Sequence, residues 1–133
     1  MAKTVLQRRI RITEAQIKKA VSDLLTYEEN QGHLLHFRLN AGSFILSNSD
    51  GSYRRRVQGT KAGTADFVVL QNMQFTVTQL YQDNFCQITF LEVKRLGGKQ
   101  SKEQKEFETK VKEFHCRYYV VTNVEEVESI LHK

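Results

Sequence analysis

The stretch GTADFVVL, residues 63–70, places Asp66 at the start of a run of strand-forming apolar residues. A second stretch, ITFLEVKRLGGK at residues 88–99, ends an apolar run on Glu92 and Lys94. Continuous apolar runs of this kind are typical of strands at the centre of a sheet. A charge buried there without a partner costs much free energy. The two stretches therefore predict central strands whose charged ends meet a partner, water or a metal ion.

The composition favours one globular domain. The chain has 133 residues, 40% of them apolar and 26% charged, which suits a folded domain over residues 1–133 with its core at about 13–131. No apolar run is long enough to cross a bilayer, and the N-terminal residues do not form a secretory signal. We therefore expect a cytoplasmic protein. Cys86 and Cys116 have no CxxC spacing and are expected to be reduced thiols in the core.

The charge favours a polyanionic partner. The net charge is +5, from 20 Lys and Arg against 15 Asp and Glu, and basic side chains gain free energy by releasing counterions from phosphates. Arg54, Arg55 and Arg56 form a run that Lys61 follows, and a second cluster surrounds Lys94. Both groups flank the carboxylate segments, which a merely solubilising surface would not require.

The periodicity predicts helices and strands in the following order. We expect a helix over 13–25, a strand over 34–40, a short strand and long loop over 41–64, a strand over 65–70, a hairpin over 73–94 turning near 82–84, a helix over 101–115, a strand over 117–121 and a helix from 123. This order predicts an α/β (α+β) fold, with a mixed central sheet flanked by helices on both faces.

Glu92 and Lys94 are two positions apart and share a face of their strand, because side chains alternate along a strand. In isolation such a pair is most simply a salt-bridged or solvated strand end. Asp66 at the head of another central strand changes the weighing, since two carboxylates and a lysine then converge at the sheet edge. Hard oxygen ligands of this kind suit Mg²⁺ or Mn²⁺.

Two helices add a polar residue at the head of an apolar stripe. Glu14 heads the stripe of the first helix, and Gln104 heads one that passes Phe107 and ends at Phe114. The helix dipole explains an acid in a first turn, and Gln104 would complete a capping box with Ser101. These explanations do not account for both residues pointing toward the sheet, so a structural and a functional interpretation stay open.

The ordered motifs resemble a known family. G-x-x-D at 63–66, E-V-K at 92–94 and S-x-E-Q at 101–104 are similar to the virus-type replication-repair nuclease (VRR-NUC) domain of the PD-(D/E)xK nuclease superfamily. RLNAG at 38–42 is similar to that family's R-x-N-x-G segment, and the resemblance runs from Glu14 to about Leu131. Ala65 stands where the superfamily's name places a proline. The resemblance implies a restriction-endonuclease-like core and phosphodiester hydrolysis with Mg²⁺ or Mn²⁺.

The resemblance also implies roles for the site residues. Asp66 and Glu92 would hold the metal with the backbone carbonyl of Val93, and Glu14 would act through a water or a second ion. Lys94 would orient or deprotonate the attacking water, or stabilise charge developing on the phosphorus.

Gln104 would orient Lys94 or the nucleophile. The residues expected to bind nucleic acid are Arg38, Asn40, Arg54, Arg55, Arg56, Lys61, Arg95 and Lys99.

The expected function is a metal-dependent DNA endonuclease selective for branched DNA, such as a Holliday-junction resolvase, in bacteria or their phages. The alternatives are a non-catalytic basic module that binds nucleic acid, or a nuclease of flap, exonuclease or restriction-like preference. Because two symmetric cuts need two sites, we expect a homodimer. The hairpin segment 73–85 and the N-terminal segment 4–12 are the candidate interfaces.

Overall fold

The computed structural model describes residues 11–40 and 43–133, with the backbone alone at 43–45. Residues 4–10 of the proposed N-terminal interface, and Ala41 and Gly42 of the RLNAG segment, lie outside the described residues. The elements are α1 (Glu14–Asn30), β1 (Leu35–Arg38), β2 (Ser43–Ser47), β3 (Arg54–Gln58), β4 (Phe67–Thr78), β5 (Tyr81–Val93), α2 (Lys102–Glu113), β6 (Arg117–Val121) and α3 (Val124–Leu131).

The central sheet has the strand order β1-β4-β5-β6. β4 pairs antiparallel with β1 and with β5, whereas β6 lies parallel to β5. A parallel neighbour needs a crossover connection, and α2 provides it. In the described part of the chain the fold is thus mixed α+β, with a four-stranded mixed sheet and three helices. This confirms the predicted fold class and is consistent with a nuclease-like core.

Helices α1 and α3 cover one face of this sheet. Ile17, Val21 and Leu25 of α1 are spaced four residues apart, so they form one buried stripe on the helix. They join one apolar core with inward-facing side chains of the strands and with three residues of α3, listed here: Phe67, Val69, Leu91, Val93, Val121, Val127, Ile130 and Leu131.

Helix α2 covers the opposite face through aromatic contacts. Phe107 packs edge-on against Phe90 of β5, with ring centroids 5.2 Å apart, and 6.2 Å from the ring of Tyr118 on β6. The apolar stripe predicted for this helix does not reach its end, because Phe114 follows the last helical residue and is 80% exposed.

The long hairpin turns earlier than the sequence predicts. Its strands meet at residues 79–80, and β4 runs unbroken into its first arm. The predicted turn near 82–84 is wrong because the buried pair Phe67↔Leu91 sets the register. A turn near 83 would slide β5 until Phe67 lay opposite residues beyond the apolar run. Burial of the core pairs therefore outweighs the local turn preference of Gln82 to Asn84.

The predicted long loop over 41–64 contains a β-ribbon. β2 and β3 pair antiparallel, with Ser47 opposite Arg54 and Leu46 opposite Arg55, so the three arginines form part of a strand. A turn with Gly51 at φ 75° joins the strands. At the base, the Thr60 N–H donates to the Asn40 carbonyl at 2.6 Å.

Two smaller expectations have different outcomes. Cys86 and Cys116 are free thiols, as predicted, but Cys86 is exposed and Cys116 only half-buried, so their assignment to the core is wrong. Cys86 lies beyond the part of β5 that the helices cover. Among the described helices, none has the length and apolar character needed to cross a membrane.

Candidate functional site

The two predicted metal carboxylates lie side by side at the end of the central strands. The last registered pair of β4 and β5 is Phe67↔Leu91, and one further step places Asp66 beside Glu92. The backbone holds Asp66 on both sides, because its N–H donates to the Leu91 carbonyl at 3.0 Å and its Oδ2 accepts from the Val93 N–H at 2.7 Å. The sequence therefore predicted this convergence correctly.

Glu92 is a buried carboxyl group, only 2% exposed. Its Oε1 accepts a 2.7 Å hydrogen bond from Gln104 Nε2 and lies 3.7 Å from Lys94 Nζ. Its Oε2 is buried and has no hydrogen-bond partner among the described residues. Burial, followed by the charge of Asp66, raises the pKa of Glu92 to about 8 against the opposing charges of Lys94 and Lys18. The attraction of Lys94 therefore does not offset the burial of this carboxyl group.

Lys18 is the residue that the sequence analysis missed. Its Nζ lies 3.0 Å from Asp66 Oδ1 and 3.2 Å from Glu14 Oε1, so it joins the start of α1 to the head of β4. Burial opposes its charge, but hydrogen bonds and the charges of both carboxylates outweigh burial and raise the pKa of Lys18. Its spacing of four residues from Glu14 places both on one helix face, and that signal could have found it.

Gln104 forms the predicted capping box and also contacts Glu92, while its functional role stays a prediction. Its Oε1 accepts from the Ser101 N–H at 2.8 Å while Ser101 Oγ accepts from the Gln104 N–H at 3.2 Å, which forms the predicted capping box. Its Nε2 is directed to Glu92. The helix cap and the carboxylate contact therefore use different atoms of one side chain.

Gly63 explains why a glycine begins the G-x-x-D segment. Its φ is +86°, a conformation that side-chain-bearing residues rarely adopt. A Cβ atom at this position would also collide with the backbone carbonyl of Glu103 in the first turn of α2. The segment leading to Asp66 therefore packs directly against the start of the helix that carries Gln104.

A cleft of about 620 Å³ is lined by Asp66, Glu92, Gln104, Lys18 and Gly63, whereas the predicted site residues Lys94 and Val93 do not line it. The predicted residues that it brings together are Glu14, Arg38, Asn40, Asp66, Glu92 and Gln104, with Lys18 among them. The other predicted nucleic-acid contacts lie outside it: Arg54, Arg55, Arg56, Lys61, Arg95 and Lys99 are all exposed. They lie on the ribbon, on its return to β4 and on the connection from β5 to α2.

The residues of the cleft fit a magnesium or manganese ion in part. Asp66 and Glu92 supply adjacent carboxylate oxygens of the type that these ions bind, and Glu92 Oε2 is a buried acceptor without a donor. However, the described residues contain no group of three or more Asp, Glu, His or Cys side chains placed to hold an ion together. The ammonium of Lys18 bridges Asp66 to Glu14. The role of the Val93 carbonyl stays a prediction.

Comparisons with models of protein families, with curated proteins and with solved structures found no match to this chain. The resemblance to the VRR-NUC domain therefore stays a prediction that rests on the motif residues.

Proposed function

We propose that this chain is a metal-dependent endonuclease that hydrolyses DNA phosphodiester bonds, a VRR-NUC domain of the PD-(D/E)xK type. The observation that carries the proposal is the buried carboxyl group of Glu92 beside Asp66, with one oxygen that lacks a donor. A core gains no stability from such a group. A divalent cation bound between the two carboxylates would satisfy both.

The charged residues of the site then have the following physical roles. Asp66 and Glu92 would hold the ion. Glu14, which Lys18 joins to Asp66, is a third carboxylate of the same cleft. When bound, Mg²⁺ or Mn²⁺ would supply a water of lowered pKa and neutralise charge on the phosphate. Lys94, beside Glu92 and half-buried, would hold a phosphate oxygen or orient the attacking water.

Gln104 positions the carboxyl group of Glu92. Its amide holds one oxygen of Glu92 and leaves the other free for a cation. Because its carbonyl oxygen is anchored on the start of α2, the amide does not have to be ordered at the moment of binding.

The distribution of positive charge supports a nucleic acid as the substrate. Arg38 and Asn40 line the cleft itself. The β2–β3 ribbon leaves the core after Asn40 and returns shortly before Gly63, so its three exposed arginines extend from the rim of the cleft. Phosphate contacts by such side chains are sequence-independent and would position the backbone over the carboxylates.

The proposal includes branched DNA as the substrate, a homodimer as the assembly and the cytoplasm of a bacterium as the location. The support for the dimer is the distal part of the β4–β5 hairpin, residues 72–86, which we call the arm. Met73, Phe75 and Phe85 lie on one face of the arm, because Met73 is opposite Phe85 and side chains alternate. A two-stranded hairpin alone is marginally stable, and a second copy would cover this apolar face.

One observation favours the non-catalytic alternative. Lys18 already neutralises Asp66 and Glu14 without a metal. A basic module that binds nucleic acid and uses its carboxylates only to join α1 to the sheet would also need this ion pair. The two functions differ in whether divalent cations activate cleavage.

Cleavage of a labelled panel of single-stranded, duplex, flap and four-way DNA tests the proposal. The wild-type chain should cut in Mg²⁺ or Mn²⁺ and not in EDTA. Asp66→Asn should lose at least about 100-fold in rate and keep its DNA affinity, since it removes the charge but keeps an acceptor for the Val93 N–H. Asp23→Asn is the matched control, because Asp23 pairs with Lys19 on the exposed side of α1.

Two results would contradict the proposal. Wild-type rates for Asp66→Asn would place the chemistry elsewhere. Tight DNA binding by the wild-type chain, with no cleavage of any substrate in either metal, would establish the non-catalytic module instead.

A further inference from the structure

We propose that Lys18 is a resident cation of the cleft, which occupies the Asp66 oxygen that a divalent ion would use and has to leave when the ion binds. This inference rests on the proposed function for the identity of the ion. Lys18 Nζ lies 3.0 Å from Asp66 Oδ1 and 3.2 Å from Glu14 Oε1. Asp66 Oδ2 already accepts from the Val93 N–H, so an ion held by Asp66 and Glu92 would have to take Oδ1 from the ammonium.

The neighbouring Lys19 shows what an ordinary ion pair on this helix looks like. It pairs with Asp23 at 3.0 Å across one helical turn, and both side chains are about 70% exposed (75% and 67%). Lys18 differs in two respects. Its side chain is only 27% exposed, and it bridges to Asp66, whose side chain is 17% exposed on another element. Lys18 is therefore a part of the cleft and not of the solvated helix surface.

The two acids that Lys18 contacts carry like charges in the absence of metal. Glu14 and Asp66 line one cavity, and like charges at short range repel strongly where water is partly excluded. Lys18 offsets this repulsion and keeps the oxygens close together. The carboxylates are then ordered before the ion arrives, at the cost of a competitor for the ion.

The competition has a consequence for DNA. Lys18 is anchored by its backbone on α1 and lines the cleft together with Arg38. A displaced ammonium would remain at the cleft, where a phosphate group can accept it. DNA bound at the cleft would hold the Lys18 ammonium on a phosphate, so that it no longer competes with the metal ion for Asp66. Metal and nucleic acid would then each increase the affinity for the other.

Binding of Mn²⁺ to the full chain without DNA tests the inference. EPR measures the free Mn²⁺, with the wild-type chain and every variant at the same alkaline pH. Lys18→Met removes the charge and keeps most of the apolar stem. It should bind Mn²⁺ at least about tenfold more tightly than the wild-type chain. Lys18→Arg, which restores a positive charge, and the control Lys19→Met should both stay within about threefold of wild type.

Equal or weaker Mn²⁺ binding by Lys18→Met would overturn the inference while leaving the metal site intact. If neither the wild-type chain nor any variant bound Mn²⁺, both the inference and the proposed function would be wrong. The two failures are therefore distinguishable without measuring activity.

A second measurement needs no variant. Pulsed acetylation of the wild-type chain, read by mass spectrometry, reports how accessible each lysine amine is. Mn²⁺ should increase the acetylation of Lys18 severalfold relative to Lys19, since the ion releases Lys18 from Asp66 and leaves Lys19 with Asp23. No change in this ratio when Mn²⁺ is bound would show that ion and ammonium do not compete.

Discussion

Gln104 Nε2 donates a 2.7 Å hydrogen bond to Glu92 Oε1, while the Oε1 of the same glutamine accepts from the Ser101 N–H at 2.8 Å. One side chain thus closes the cap of α2 and holds a carboxyl group on β5. The start of the helix and the end of the strand are fixed relative to each other by this link.

The chain contains a matched control for this double role. Gln16 forms the same capping box in α1, where its Oε1 accepts from the Thr13 N–H at 2.9 Å. Gln16→Ala should lower the free energy of unfolding by about 1 kcal/mol, and Gln104→Ala by about 1–2 kcal/mol more, because the buried Glu92 also loses a hydrogen bond. Only Gln104→Ala should also slow Mg²⁺-dependent cleavage, by about tenfold, because Glu92 loses its support. If the two variants cleaved DNA at equal rates, Gln104 would act only as a helix cap.

Gly63→Ala tests the close packing of the G-x-x-D segment against α2. Gly97→Ala is its control, since Gly97 has a similar φ of +82° but nothing within 4 Å of an added Cβ. Gly97→Ala should cost about 1 kcal/mol for the backbone conformation alone. Gly63→Ala should cost about 1–3 kcal/mol more, because its Cβ collides with the Glu103 backbone. Urea unfolding measures both, and equal losses would contradict the packing argument.

The metal-free protein should lose stability as the pH rises. The folded state raises the pKa of Glu92 from 4.5 to about 8, so it binds this proton more tightly than the unfolded chain does. The resulting stabilisation is complete below pH 4.5 and is lost as the pH rises through about 8. At about 1.4 kcal/mol per pKa unit, the loss amounts to a few kcal/mol.

Urea unfolding in EDTA across this pH range measures the loss. Glu92→Gln cannot ionise and should show a smaller decline than the wild-type chain, and added Mg²⁺ should reduce the wild-type decline. Parallel curves for wild type and Glu92→Gln would mean that another group titrates.

Removal of the ribbon arginines should weaken DNA binding without changing the chemistry. Replacing residues 54–56 by glutamine should reduce the slope of log affinity against log salt by at most about 3, as about 0.9 is lost per phosphate contact. Cleavage at saturating DNA should stay at the wild-type rate. Replacing Lys19, Lys110 and Lys112, exposed lysines on α1 and α2, is the control with equal charge loss. An equal drop in slope for both triples would show that the ribbon makes no contact of its own.

The arm should mediate the homodimer. Phe75 and Phe85 are 43% and 44% exposed, and their rings lie 5.9 Å apart on its apolar face. Light scattering at micromolar concentration should give twice the chain mass of 15.5 kDa. Phe75→Ser should give the monomer, whereas Gln74→Ser, on the other face of the same strand, should leave the dimer intact. If the wild-type chain were a monomer, the prediction that the arm is a dimer interface would be wrong.

The sequence predicted the parts of the site that follow from local spacing. Alternation along β5 placed Glu92 and Lys94 on one face, and the S-x-x-Q spacing gave the α2 cap. Lys18 was missed because its second partner is distant in sequence: helical spacing links it to Glu14, but only packing of α1 against the sheet brings it to Asp66. The ribbon was missed because β3, the partner of β2, contains three consecutive arginines and shows no alternation of apolar and polar residues.

The register of the long hairpin has a consequence for how its length can vary. From Phe67 to Thr76 each residue of β4 has one partner on β5. Adding or deleting two residues in each strand of the arm changes its reach by about 7 Å, keeps its apolar side chains on the same face and leaves Asp66 beside Glu92. A single insertion has to be absorbed locally, as in the irregularity between Thr76 and Thr78. In the proposed homodimer, matched changes in the length of the two strands would alter the spacing between the copies over evolution and leave the carboxylates at the other end of the strands in place.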